Sequence, residues 1–148
     1  MSTPAPNIAR ALMDATRAHA AAVIAQLAQL GYPDFPFASA SLLWLLNKGG
    51  TRSTVLAQRA RITKQAMGQQ VRVMEKQGYL ELVPDPSDTR AKLVKMTPRG
   101  EAVKAACEEV RAELNKKIAK IVGQEDAQKM ESDLDAISRM LGTITVET

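Results

Sequence analysis

A mostly α-helical domain interrupted by one short β-hairpin is what this sequence predicts, and three observations predict it. Apolar residues recur three or four apart along most of the chain, the period of an amphipathic helix. Aromatic residues make up only 3% of the 148, and strand-like runs are confined to Tyr79–Val83 and Leu93–Met96, too little for a large sheet. Between Thr51 and Gly100, two short helical patterns joined by Arg61-Ile62-Thr63 lead straight into those two runs.

The elements follow in order. The first six residues, rich in Ser, Thr and Pro, read as a loose tail. Ile8, Leu12, Ala15, Val23, Leu27 and Leu30 form one stripe of a helix over 7–30, which Gly31-Tyr32-Pro33 ends. Ala40 to Asn47 (ASLLWLLN) is apolar almost all round, as a short central helix should be, and Gly49-Gly50 breaks it. Thr51 or Ser53 offers an N-cap for the next helix. Arg61-Ile62-Thr63 then makes a tight connection, with Ile62 toward the core and Thr63 as a cap. In the helix from Thr63 to Gln77, Met67, Val71 and Met74 fall at i, i+4, i+7 and predict its buried face. Lys64, Gln65, Gly68, Gln69 and Arg72 remain outside. Gly78 holds a helix-terminating position. A strand over 79–83, an eight-residue loop from Asp85 to Lys92 and a return strand over 93–96 make the hairpin. Thr97-Pro98 is a capped helix start with proline first. Val103, Cys107, Val110, Leu114, Ile118, Ile121 and Val122 carry that helix to Gly123. Gln124-Glu125-Asp126 opens the last one, with Met130, Leu134, Ile137 and Leu141 as its stripe.

Charge narrows the function classes. The formal net charge is +4, but from Thr51 to Lys104 there are 11 Lys/Arg against 5 Asp/Glu, leaving 9 against 11 elsewhere. The positive excess sits in the helix–turn–helix and hairpin, where a duplex backbone is the matching polyanion; a solvated basic face is the bland alternative. One Cys excludes an internal disulfide framework and suits a reducing cytoplasm. No signal-peptide pattern and no uninterrupted apolar run of about 18 residues is present, so a cytoplasmic protein that neither crosses nor enters a membrane is expected. The single histidine, His19, rules out catalytic or zinc sites built on two or more histidines. We expect no enzyme activity, no catalytic residues, no metal and no cofactor.

The hairpin sequence DPSDTRAKLVKMTPRG, Asp85 to Gly100, following a helix–turn–helix, resembles the MarR-type winged helix-turn-helix regulators over nearly the whole chain. The resemblance implies a mostly α fold with a two-stranded β wing, and N- and C-terminal helices forming a dimerisation region. It divides the chain into a dimerisation helix and linker over 1–35, a DNA-binding domain over 36–100 and dimerisation helices over 101–148. It implies that Asp88 holds Arg90 and that Arg90 enters a minor groove. Thr89 stands where a second arginine is frequent in the family, and Met96 where leucine is usual.

The residues support such roles on their own chemistry. Narrow A·T-rich minor grooves attract arginine, and glutamine reads adenine bidentately in the major groove, so Gln65 and Gln69 are candidate base readers. Gly68 between them costs about 1 kcal/mol against alanine inside a helix, a cost that close approach to DNA would offset. Arg52, Arg59, Arg61, Lys64, Arg72 and Lys92, with Thr63, complete the expected DNA surface.

The apolar stripes of the first helix and the last two exceed what one small core covers, which predicts a homodimer. A small-molecule effector, if bound as in regulators of this type, would lie in a cleft lined by Arg17, His19, Tyr32, Phe35 and Trp44. Core and loop packing is the competing reading for the aromatics. Cys107 falls on an apolar helix face, the setting of an inert packing thiol. The expectation is a sequence-specific regulator, in the repressor sense, binding a pseudo-palindromic double-stranded operator. A non-specific architectural DNA-binding protein is the alternative, and a protein-interaction module a third reading.

Overall fold

The computed structural model describes residues 6–144; of the expected N-terminal tail, residues 1–5 lie outside the described residues. Its elements are α1 (Ile8–Gln29), a 3-10 turn (Phe37–Ser39), α2 (Leu42–Leu45), β1 (Thr51–Arg52), α3 (Ser53–Ala60), α4 (Lys64–Lys76), β2 (Leu80–Asp85), β3 (Asp88–Met96), α5 (Pro98–Val122) and α6 (Gln124–Ile144). The chain divides after Val110, inside α5, into two compact units.

In the first unit, the Asn7 side chain accepts the N–H of Arg10 at 3.0 Å and so starts α1. Only Val23 and Leu27 of that helix are buried, while Ile8, Met13 and Ile24 face solvent. The apolar run after it is less helical than its composition suggests. Of Ala40 to Asn47 only Leu42–Leu45 are α-helical, and Leu46 is already extended at φ −80° and ψ 134°. The chain straightens here because Thr51 and Arg52 form a strand, whose backbone groups are satisfied by β3 rather than by a helix. Thr51 is therefore a buried strand residue and not a helix cap; its Oγ1 accepts the N–H of Asn47 at 2.9 Å.

β1 makes the expected two-stranded wing a three-stranded antiparallel sheet of order β1-β3-β2, with Thr51 opposite Val94 and Arg52 opposite Leu93. Gly50 permits the approach: its φ is +97°, and a Cβ there would meet the Leu93 Cβ at 3.0 Å. The wing loop is also shorter than expected. β3 begins at Asp88, not Leu93, and only Pro86 and Ser87 turn the chain. The polar run after Ser87 reads as loop, yet ladder bonds are made by backbone whatever the side chains are. β3 simply points Thr89, Arg90, Lys92 and Lys95 to solvent and buries Val94.

The α3–α4 junction follows the sequence pattern. Thr63 caps α4 by accepting the Ala66 N–H at 3.1 Å, Met67, Val71 and Met74 are buried, and Gly78 ends the segment at φ +77°. Ile62 is half-buried rather than in the core. The core joins Leu42, Leu43, Leu56, Met67, Met74, Tyr79, Leu80 and Val94 to Val103, Cys107 and Val110 of α5. The first turn of α5 is held by Thr97, whose Oγ1 accepts from the Gly100 N–H at 3.0 Å and donates to the Gly78 carbonyl at 2.5 Å.

In the second unit, the end of α5 and α6 are joined through Gly123, at φ +93°. Glu125 and Asp126 occupy the positive end of α6. Ile118 and Ala119 face Met130 and Leu134 across a groove, and Ile121 is 84% exposed.

Candidate nucleic-acid interface

Burial of Met67, Val71 and Met74 fixes what α4 shows to solvent: Lys64, Gln65, Gln69 and Arg72 are all exposed. Gly68 lies between them with room for a methyl group, a Cβ there meeting the Arg72 Nη1 at an ordinary contact distance of 3.5 Å. Beside this face runs a cleft of about 420 Å³ lined by Arg52 of β1 and Ser53 at the start of α3, by Gly68, Val71 and Arg72 of α4, and by Leu82 and Lys92 of the wing. Four of the expected DNA residues, Arg52, Gly68, Arg72 and Lys92, thus meet on one groove.

The wing is held differently from the expected Asp88–Arg90 pair. Asp88 Oδ1 accepts the backbone N–H of Arg90 at 3.0 Å, and among the described residues no ion pair engages the Arg90 guanidinium, which stays exposed on β3. The arginine that the wing carboxylates grip is Arg52. Its Nε and Nη2 lie 2.7 and 2.6 Å from Asp85 Oδ2, and Nη2 is 3.6 Å from Asp88 Oδ2. The other oxygen of Asp85 accepts the N–H and the hydroxyl of Ser87 at 2.9 and 2.7 Å, the local bond that lets two residues close the hairpin. These Ser87 bonds, then Arg52, hold the Asp85 carboxyl down at about 2. Asp85 was missed from sequence; its place three residues before Asp88 and beside Pro86 was the available signal.

Two further candidates are engaged by the fold itself. Arg59 Nη1 donates to the Leu45 carbonyl at 2.6 Å and to Asn47 Oδ1 at 3.2 Å, closing the end of α2. Thr63 uses its hydroxyl as the α4 cap. Arg61 is exposed and carries the one positive φ outside glycine among the described residues, +54°.

Residues 34–91 match the family model described as MarR family. That stretch, which holds the helix-turn-helix and the tip of the wing, is similar to the MarR family. No curated protein sequence matches the chain. Among solved structures, the transcriptional regulator Tm0710 from Thermotoga maritima is 24% identical, with 95% of this chain and 98% of that one covered and a TM-score of 0.59. A MarR mutant from E. coli complexed with operator DNA is 19% identical over 88% and 92%, with a TM-score of 0.69. FabT from Streptococcus pneumoniae, in complex with DNA, is 16% identical over 93% and 96%, with a TM-score of 0.73. At these identities the likeness establishes the MarR-type fold along nearly the whole chain.

The candidate effector residues are only partly gathered. Tyr32 and Phe35 pack on the buried Tyr79, with ring centroids 6.4 and 5.2 Å away, the second edge-on. Trp44 is exposed, its Nε1 donating to Glu108 at 3.4 Å. Arg17 and His19 are exposed on α1, Arg17 lying 3.7 Å from Asp14. No hydrogen bond, ion pair or ring contact among the described residues joins Arg17 or His19 to the aromatics.

The aromatic loop centres on a triad not seen in the sequence. Tyr79 donates its hydroxyl to Asp34 at 2.7 Å, and Arg99 Nη2 donates to Asp34 at 2.9 Å and to the Tyr79 oxygen at 3.1 Å. The Arg99 guanidinium also stands 4.7 Å over the Tyr79 ring. Burial, then the Asp34 carboxylate, pushes the Tyr79 phenol up to about 12, and the Tyr79 hydroxyl is the largest cause holding Asp34 below its usual range. Cys107 is buried, and burial raises its thiol pKa, the setting of an unreactive side chain. No helix among the described residues is long and apolar enough to cross a membrane.

Proposed function

We propose that this protein is a cytoplasmic transcriptional regulator, not an enzyme, that binds a pseudo-palindromic operator as a homodimer. The observation that carries the reading is the single surface on which α4 presents Lys64, Gln65, Gln69 and Arg72 beside a wing bearing the exposed Arg90. On this reading α4 enters a major groove, with Gln65 and Gln69 over base edges and Arg72, Lys64 and Lys92 on phosphates. Arg90 enters the adjoining minor groove. The structures of E. coli MarR with operator DNA and of FabT with DNA support it.

Dimerisation through the segments 1–35 and 101–148 is supported by apolar side chains left in solvent: Ile8, Met13, Ile24 and Leu30 near the N-terminus, Ile121, Val122, Met130 and Leu134 near the C-terminus. Two copies would set two recognition helices about one helical turn apart on the duplex. Repression would follow from occupancy of the operator, and an effector held by Arg17, His19, Tyr32, Phe35 and Trp44 would relieve it by changing the spacing of the two lobes.

The test is a titration of the purified protein into the duplex flanking its own gene and into a scrambled duplex, across a salt series. Tight binding to the first alone, weakened about tenfold in Arg90→Ala with unchanged thermal stability, supports the regulator. Each mismatch in a half-site should cost about 1–3 kcal/mol. Equal, steeply salt-dependent binding to both duplexes would instead favour the architectural protein, whose affinity rests on phosphates alone.

A further inference from the structure

Two carboxylates, Asp85 and Asp88, sit on a hairpin that the reading above places against a polyanion. By charge alone they oppose binding. Their geometry gives them a different use. Asp85 is 5% exposed and takes both Nε and Nη2 of Arg52 at 2.6–2.7 Å, and Asp88 adds a longer contact to the same guanidinium. Arg52 is also anchored through its backbone, as the residue of β1 opposite Leu93 of β3 and as the residue immediately preceding α3. The first helix of the helix-turn-helix is therefore attached to the wing at two points, one in the sheet and one at the turn. The second point continues to Arg90, because the Asp88 that faces Arg52 also accepts the Arg90 backbone N–H at 3.0 Å.

Resting on the DNA-binding reading, we propose that Arg52 is a positioning residue: gripped by Asp85 and Asp88, it sets the wing on α3 so that Arg90 meets the duplex. It is not itself a phosphate contact. The Nε and Nη2 edge of the guanidinium is committed to the sheltered Asp85, so Arg52 is fixed by the wing rather than free to follow a phosphate. The two roles predict opposite signs for one substitution. Asp85→Asn keeps an acceptor for the Ser87 bonds and so keeps the turn, but it removes the charge that grips Arg52. If Arg52 were a phosphate contact, freeing it and deleting a negative charge would strengthen duplex binding. If Arg52 positions the wing, binding weakens.

The experiment measures duplex affinity of the full chain for wild type, Asp85→Asn, Arg90→Ala and the double variant, with amide exchange of Thr89, Arg90 and Ala91 followed in parallel. We expect Asp85→Asn to weaken binding about fivefold or more, to add nothing in the Arg90→Ala background, and to speed exchange of the three wing amides. Unchanged or tighter binding by Asp85→Asn overturns the proposal, as do additive losses in the double variant. Should the wild type bind no duplex, the regulator reading fails by itself, and the exchange data still decide the clamp: unaltered wing amides in Asp85→Asn overturn it.

Discussion

Gly100 passes directly over the backbone of Tyr79: a Cβ on it would sit 2.1 Å from the Tyr79 carbonyl oxygen. That same oxygen accepts the N–H of Thr97 at 3.1 Å, so the start of α5 is seated on the start of the wing with no room for a methyl group. Gly100→Ala must push α5 off the strand and stretch the Thr97 bond. We expect a loss of about 1–3 kcal/mol, the usual cost of overpacking against atoms that cannot yield, read as a lower urea midpoint with unchanged slope. A midpoint at or above wild type would show that the helix start shifts freely.

Gly68 presents the reverse case. A methyl group there meets nothing closer than a flexible Arg72 nitrogen at 3.5 Å, so Gly68→Ala should raise stability by about 1 kcal/mol through helix propensity. Duplex affinity should fall, because on the proposed reading the glycine lies on the face that enters the groove. A thermal and urea series with a parallel binding titration checks both halves; a stability gain with affinity intact would remove the reason for a glycine at this position.

Arg61 bears a left-handed backbone, φ +54° and ψ 42°, at the C-terminus of α3. Such a conformation costs a non-glycine residue about 1–2 kcal/mol, partly offset in a glycine variant by unfolded-chain entropy. An arginine kept there at that cost, exposed in the turn ahead of α4, fits a phosphate contact. Arg61→Gly is therefore expected to stabilise the fold by up to about 1 kcal/mol. It should also weaken duplex binding and reduce the slope of log affinity against log salt by about 1. A variant more stable and binding with the same slope would make Arg61 an ordinary surface residue.

What the sequence made legible is local. The i, i+4, i+7 spacing of Met67, Val71 and Met74 identified the inner face of α4, and Thr63, Gly78 and Thr97-Pro98 marked helix ends whose chemistry acts within one turn. What it hid depends on partners distant in the chain. β1 is two residues long and exists only because β3 is beside it, 43 positions away at the Thr51–Val94 pair. Asp85 looks like a turn residue until Arg52 is brought to it, and Arg59 looks like a free cation until the end of α2 is seen. Wing polarity misplaced the start of β3 because exposed strand and loop share the same composition. The Asp34–Tyr79–Arg99 triad joins three segments, and no single one of them announces it.

That triad gives the protein a measurable alkaline signature. The Tyr79 phenol is held near 12 against 10.0 for an unhindered tyrosine, first by burial and then by the Asp34 carboxylate that accepts its proton. The folded state therefore keeps this proton over a range in which the unfolded chain has released it. The stabilisation so produced is complete below pH 10 and is lost as the pH rises from there toward 12. Tyr79→Phe deletes that dependence while leaving Asp34 paired with Arg99; at neutral pH it should cost about 1 kcal/mol for the lost hydrogen bond. Above pH 10 wild type should lose stability more steeply than the variant, so that the two unfolding midpoints converge. Phenolate absorbance of the folded protein should show a late-titrating tyrosine that disappears in Tyr79→Phe. Midpoints that stay parallel across the alkaline range would mean that Tyr79 ionises in the fold as it does in the open chain, and that Asp34 does not hold its proton.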